Sequence, residues 1–159
     1  YTAKVPGTEH GIQAPQPTFS PCLAAPFLAL PPAVYATMLR ERVREHAPEP
    51  WLLNTGWIGG PRLPGERIRL SHTRAMIGAA LGGAIPAASF SRDPVFGFAV
   101  PSEVPGVPSG ILSPRALWKD REEYDRAARE LARRFAEAFD QLDADVPPAV
   151  RGAGPGGNP

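Results

Sequence analysis

Apolar residues recur at helical spacing in three stretches of this chain, and each stretch is bracketed by residues that start or stop helices. From Pro32, the residues Val34, Tyr35, Met38, Leu39 and Val43 fall on one face while Arg40, Glu41, Arg42 and Arg44 take the wet side. Proline suits a first helical turn, and Pro48 and Pro50 close the stretch. A second helix is predicted with Ser71 as its cap and Thr73 and Arg74 in its first turn. Its inner face would hold Met76, Ile77, Ala80 and Leu81, and Gly82 and Gly83 would stop it. The third begins at Asp120, which with Glu123 resembles a capping box, and carries an apolar stripe of Tyr124, Ala127, Ala128, Leu131, Phe135, Ala138, Phe139 and Leu142.

Between the helices the pattern shortens. Trp51, Leu52 and Leu53 form an apolar run too short for a helix, read as a short buried strand that stops at Asn54, Thr55 and Gly56. Ile68 and Leu70 alternate with Arg67 and Arg69. From Pro86 to Pro114 only brief pieces such as Val95, Phe96, Phe98 and Val100 appear, so that region is expected to wrap a core built elsewhere. Residues 1–21, YTAKVPGTEHGIQAPQPTFSP, contain too much Pro and Gly for a sustained helix or a central strand and read as a long loop, either a lid or disorder. After Val146 the chain reads PPAVRGAGPGGNP, a flexible tail by composition.

Composition adds that the chain is loop-rich but foldable. Twenty-one prolines and sixteen glycines among 159 residues give about twice the roughly 12% these two types usually supply. Yet 43% of residues are hydrophobic and three are Trp, more than a disordered chain carries. Seventeen Lys and Arg against sixteen Asp and Glu leave a net charge of +1. No global field therefore draws the chain to nucleic acid or to an anionic membrane. Apolar runs break well short of the roughly 18 residues a membrane span needs. Cys22 is the single cysteine, so no intrachain disulfide forms. No secretory signal is visible at the start, and a cytoplasmic setting is the expectation.

The stretch GPRLPGER, Gly60 to Arg67, keeps the glycine spacing of a phosphate-binding loop but has Glu66 and Arg67 where Lys and Ser or Thr belong. Pro61 and Pro64 remove two amide donors, so this loop does not cradle phosphate in that manner. Arg67 and Thr73 are the pair of interest. A guanidinium can bind phosphate or lie against a base, and Thr73 stands where a helix amino end exposes N–H groups. On pattern alone, Arg67, Arg69 and Arg74 read first as a solvated basic cluster. His10, His46 and His72 show no metal-ligand spacing, and Cys22, in an apolar run, reads as a core residue. Asp120, Glu122 and Glu123 read as helix-start charges.

Five blocks in order, YTAKVPGTEHGI, PTFSPCLAAPFL, WLLNTGWIGGP, GERIRLSHTRAMI and DPVFGFAVPSEVPGVPSGILSPR, together with the closing amphipathic helix, resemble the carboxy-terminal part of ATP-dependent phosphoenolpyruvate carboxykinases. The resemblance runs from Tyr1 to about Leu142. It implies a mixed α/β fold, part of a two-lobed enzyme, loop-rich with two or three main helices. Residues 1–146 would belong to the nucleotide-binding domain, residues 1–20 being lid-like, and 147–159 would be the tail. It further implies conversion of oxaloacetate and ATP to phosphoenolpyruvate, ADP and carbon dioxide, a gluconeogenic step. Arg67, Ile68 and Thr73 match the family's ATP-binding positions. The stretch Gly7 to Ser20 resembles the lid that excludes water. The family's phosphate loop, its Mg2+ and Mn2+ ligands and its oxaloacetate-gripping arginines would lie upstream, so the partners implied are ATP, oxaloacetate and the missing amino-terminal part, with no catalytic residue in this stretch. Leu23, Ala24 and Pro31 depart from the family pattern, which bears on packing under the lid, and the tail from Pro147 has no evident counterpart. Two other readings stand beside it: an inactive fragment that is a weak nucleotide-binding or interaction module, and a Pro-rich scaffold segment.

Overall fold

The computed structural model describes residues 2–4, 7, 10–13, 16–18, 27, 29–59, 66–86, 89–141 and 146–155. Cys22, Leu23, Ala24, Leu142 and the glycine loop 60–65 lie outside them, as do parts of the lid-like stretch. The chain divides into two compact units, one of residues 1–48 with 134–154 and one of residues 49–133 with 155–159.

In the first unit, β1 (Thr2–Lys4) pairs antiparallel with β2 (Gln16–Thr18), Ala3 opposite Pro17. A two-stranded ribbon tolerates this proline because each strand is an edge. Gly7 and Gly11, between the strands, hold positive φ angles of 86° and 82° that other residues adopt at a cost. Helix α1 (Pro32–His46) starts on Pro32 as the pattern predicts. Its apolar face is not buried: Met38 and Leu39 are more than half exposed. The helix ends with Ala47 in the left-handed region, φ 43° and ψ 46°, its N–H bonded to the Val43 carbonyl at 2.9 Å. The tail holds a short helix, α5 (Pro148–Gly152), at a place where composition alone suggested flexible chain. Arg151 joins it to the end of the long helix, donating to Asp140 at 2.8 Å and lying 5.7 Å above the Phe139 ring.

In the second unit, β3 (Trp57–Ile58) pairs antiparallel with β4 (Glu66–Arg67), and α2 (Leu70–Leu81) follows. A hairpin of β5 (Phe90–Arg92) and β6 (Ala99–Pro101) comes next. Its turn is fixed by Asp93, whose carboxylate accepts from the N–H groups of Val95 and Phe96 at 2.9 and 2.6 Å. A 3-10 turn at Ser109–Leu112 leads to the short α3 (Pro114–Leu117) and then to α4 (Arg121–Asp140). Asp120 caps α4 as predicted, accepting from Glu122 and Glu123 N–H at 2.8 and 3.1 Å. Residues of α4 up to Arg133 count with the second unit and those beyond with the first.

The core of the second unit is small. Met76, Ala79 and Val104 are buried together, with Ile85, Val107, Ile111 and Leu112 packed against them. Val104 shows that the 86–114 region supplies core rather than only wrapping it. The inner face of α2 also differs from the prediction, because Ile77 is 44% exposed and Leu81 is 85% exposed. Helical spacing places Met76 and Ala79 on one side and Leu70, Ile77 and Leu81 on the other. Sequence shows that both sides are apolar, but not which one this chain covers. Trp51, Leu52 and Leu53 form no strand, and Leu52 is 81% exposed. No neighbouring strand pairs with them among the described residues, and Trp51 instead lies 6.0 Å from the Phe90 ring.

Candidate functional site

Asn54 begins the construction of the site. Its side-chain oxygen accepts from Gly56 N–H at 3.0 Å, the short polar turn expected of Asn followed two residues later by Gly. A Cβ on Gly56 would sit 3.2 Å from that oxygen, so glycine suits the turn. The Gly56 carbonyl then accepts from Ile68 N–H at 3.1 Å, which ties the end of β4 to the start of β3. Gly59 leaves β3 at φ 97°, again a glycine conformation. In sequence Asn54 and Gly56 read only as a stop signal, although an asparagine followed two residues later by glycine already marks such a turn.

This ribbon places Arg67 directly opposite Trp57, and Glu66 opposite Ile58. Arg67 is exposed, and among the described residues no carboxylate pairs with it. Its neighbour Glu66 is engaged elsewhere, 3.9 Å from the Arg69 guanidinium, an exposed contact of little energetic weight. Ile68 is half-buried, and because its N–H is taken by Gly56, its carbonyl is the backbone group left to meet a ligand donor.

Two residues later the helix begins. The predicted cap, Ser71, is inside α2; Arg69 occupies the cap position in an extended conformation, without a side-chain hydrogen bond. The first bond of the helix is Thr73 N–H to the Arg69 carbonyl, 3.1 Å. The N–H groups of Leu70, Ser71 and His72 precede it and have no partner inside the helix. Such an end favours an anion. Thr73 is half-buried, and its hydroxyl reaches the Arg69 carbonyl at 3.4 Å, a long bond that is readily given up. The backbone from β4 through the first turn of α2 thus carries Arg67, Ile68 and Thr73 within one continuous seven-residue stretch of a single unit.

Other features fall elsewhere. A surface hollow of about 380 Å³ lies along Arg40, Glu41 and Arg44 on α1 and includes none of the three. It is an open depression between charged side chains on one helix face. No three His, Cys, Asp or Glu residues gather in a metal-holding group among the described residues. Among the described residues no helix is long and apolar enough to cross a membrane.

The fold and site describe a mixed α/β chain in which a short ribbon carrying Arg67 leads into an uncapped helix start, a helix end that favours an anion. Residues 1–110 match the phosphoenolpyruvate carboxykinase family, and the chain belongs to that family. It is 53% identical over 155 residues to the phosphoenolpyruvate carboxykinase (ATP) of Thermus thermophilus, covering 98% of this chain and 29% of the relative. Against the enzyme of the same name from Caldanaerobacter subterraneus it is 51% identical over 157 residues, 99% of this chain and 30% of the relative. With that of Rhodopseudomonas palustris it shares 48% over 155 residues. The chain thus spans about three tenths of the length of the curated relatives it matches. With 99% of the chain aligned, the tail beyond Pro147 does have a counterpart among relatives, contrary to the sequence expectation.

Proposed function

We propose that this chain forms part of an ATP-dependent phosphoenolpyruvate carboxykinase and contributes Arg67, Ile68 and Thr73 to its ATP site. The intact enzyme would break the bond between oxaloacetate and its departing carboxylate, releasing carbon dioxide, and the enolate oxygen left behind would take the γ-phosphoryl group of ATP. The products are phosphoenolpyruvate and ADP, in a gluconeogenic, cytoplasmic setting. Phosphoryl transfer rests mainly on positioning and charge neutralisation. Arg67 suits that work as a permanent cation with a rigid donor fork. The Ile68 carbonyl can accept from a base amino group. Thr73 can turn its O–H from the Arg69 carbonyl to the nucleotide. Mg2+ and Mn2+ would be held by residues outside the described stretch, and the lid-like stretch Gly7 to Ser20 would exclude water from the closed site.

The observation that carries this reading is Arg67 itself, exposed and without a carboxylate partner among the described residues, on the strand that feeds an uncapped helix. In an intact carboxykinase carrying this stretch, Arg67→Ala is expected to weaken ATP binding about 10- to 100-fold, the scale of one charge-assisted hydrogen bond. Thr73→Val should weaken it less and Thr73→Ser hardly at all. Titration calorimetry with ATP checks all three, and unchanged affinity in Arg67→Ala would remove the assignment. A second reading is favoured by the three-tenths coverage: as 159 residues alone, the chain is a weak nucleotide-binding or interaction module without turnover.

A further inference from the structure

The β3–β4 register leaves one feature of the hairpin without a role. Trp57 stands directly across from Arg67, and residues directly opposite in an antiparallel pair project from the same face with Cβ atoms roughly 5 Å apart. Trp57 is 55% exposed, and among the described residues neither a ring nor a guanidinium is stacked on it. The other two tryptophans are engaged, Trp51 near Phe90 and Trp118 edge-on to Tyr124 at 5.6 Å. The backbone beneath the pair is fixed: Asn54 holds Gly56, and Gly56 holds Ile68. An exposed indole and a guanidinium without a carboxylate partner among the described residues therefore stand side by side on one short ribbon.

We propose that Trp57 is the platform on which the nucleotide's base stacks while Arg67 engages the same nucleotide, which makes Trp57 a binding residue of the site. The inference rests on the ATP reading of Arg67. A planar aromatic base matches an open indole in shape and gains dispersion without demanding a particular hydrogen-bond pattern. The site would thus take hold of the nucleoside through Trp57 separately from its charge.

The test uses an intact carboxykinase carrying this stretch, with ATP and base-free tripolyphosphate as the two probes, Trp57→Ala, Trp57→Phe and Arg67→Ala as variants, and ligand-free melting temperature as the structural control. Trp57→Ala is expected to weaken ATP roughly 5- to 100-fold, the range for loss of one aromatic–base stack. Tripolyphosphate affinity and melting temperature should stay near wild type, and Trp57→Phe should keep most of the ATP affinity. If Trp57→Ala leaves ATP affinity intact while Arg67→Ala lowers it, the stacking role fails and the ATP site survives. Equal loss of both probes, or a large fall in melting temperature, would mean that the rest of the enzyme covers Trp57 as core, which also overturns the proposal. Should neither variant alter ATP affinity, the underlying site assignment falls first.

Discussion

Asp125 and Arg115 show what single residues contribute away from the site. The guanidinium donates twice to the carboxylate, at 2.7 and 2.8 Å, a fork that joins α3 to α4. That hydrogen bonding holds the Asp125 carboxyl below its ordinary value and raises Arg115 above its own. A depressed carboxylate binds fewer protons folded than unfolded, so its contribution is complete above the unfolded value, near pH 4. It fades as pH falls through the lower folded value. Arg115→Ala is therefore expected to lower the melting temperature slightly at neutral pH and to flatten its decline below about pH 4, as melts across an acid series would show. Solvent screening at this exposed pair keeps the effect small. None of this was legible in sequence, because the two residues lie ten apart on different elements. Arg67 and Thr73 were singled out by residue type and position. Trp57 was not, since its relation to Arg67 exists only through strand register, which no local pattern encodes.

At the scale of elements, the three long helices were legible, while the short helices and the ribbons were not. Period-3.6 apolar spacing over fifteen or twenty residues identifies α1 and α4 without any tertiary information. Strands of two or three residues are too short for alternation to be counted, and each depends on a partner across an intervening loop. The end of α1 offers the clearest adjustable feature. Ala47 adopts a left-handed conformation that costs a residue with a Cβ about 1–2 kcal/mol, in a position where helices usually place glycine. Ala47→Gly is expected to stabilise the fold by about 1 kcal/mol, less the added freedom of the unfolded chain. Urea unfolding of the two proteins checks this, and a lower midpoint in the glycine variant would contradict it. The cap of α2 shows the opposite lesson. Ser71 is a favoured cap residue, yet the cap falls two residues earlier, at Arg69, where the bond from Ile68 to Gly56 sets the direction of the chain.

For the whole molecule, the buried set is modest against the apolar surface left outside. Met76, Ala79, Val104, Ala128 and Ala138 are the buried hydrophobics among the described residues, while Leu70, Ile77 and Leu81 line an exposed face of α2. Exposed apolar stretches of this kind mark surfaces that a partner covers. Together with the three-tenths coverage of its relatives, this fits a chain whose chemistry needs more protein than these residues provide. The isolated chain, given oxaloacetate, ATP and Mn2+, is expected to form no phosphoenolpyruvate in a coupled assay; turnover would show that the described stretch holds more machinery than its geometry suggests. The brevity of β3 and β4 carries one more implication. Two residues per strand give the arginine's hairpin few bonds with which to resist opening, so the ribbon would fluctuate among several shapes on its own. On the proposed ATP reading, part of the free energy of nucleotide binding would be spent restricting those fluctuations, leaving apparent affinity sensitive to anything that stiffens the ribbon beforehand.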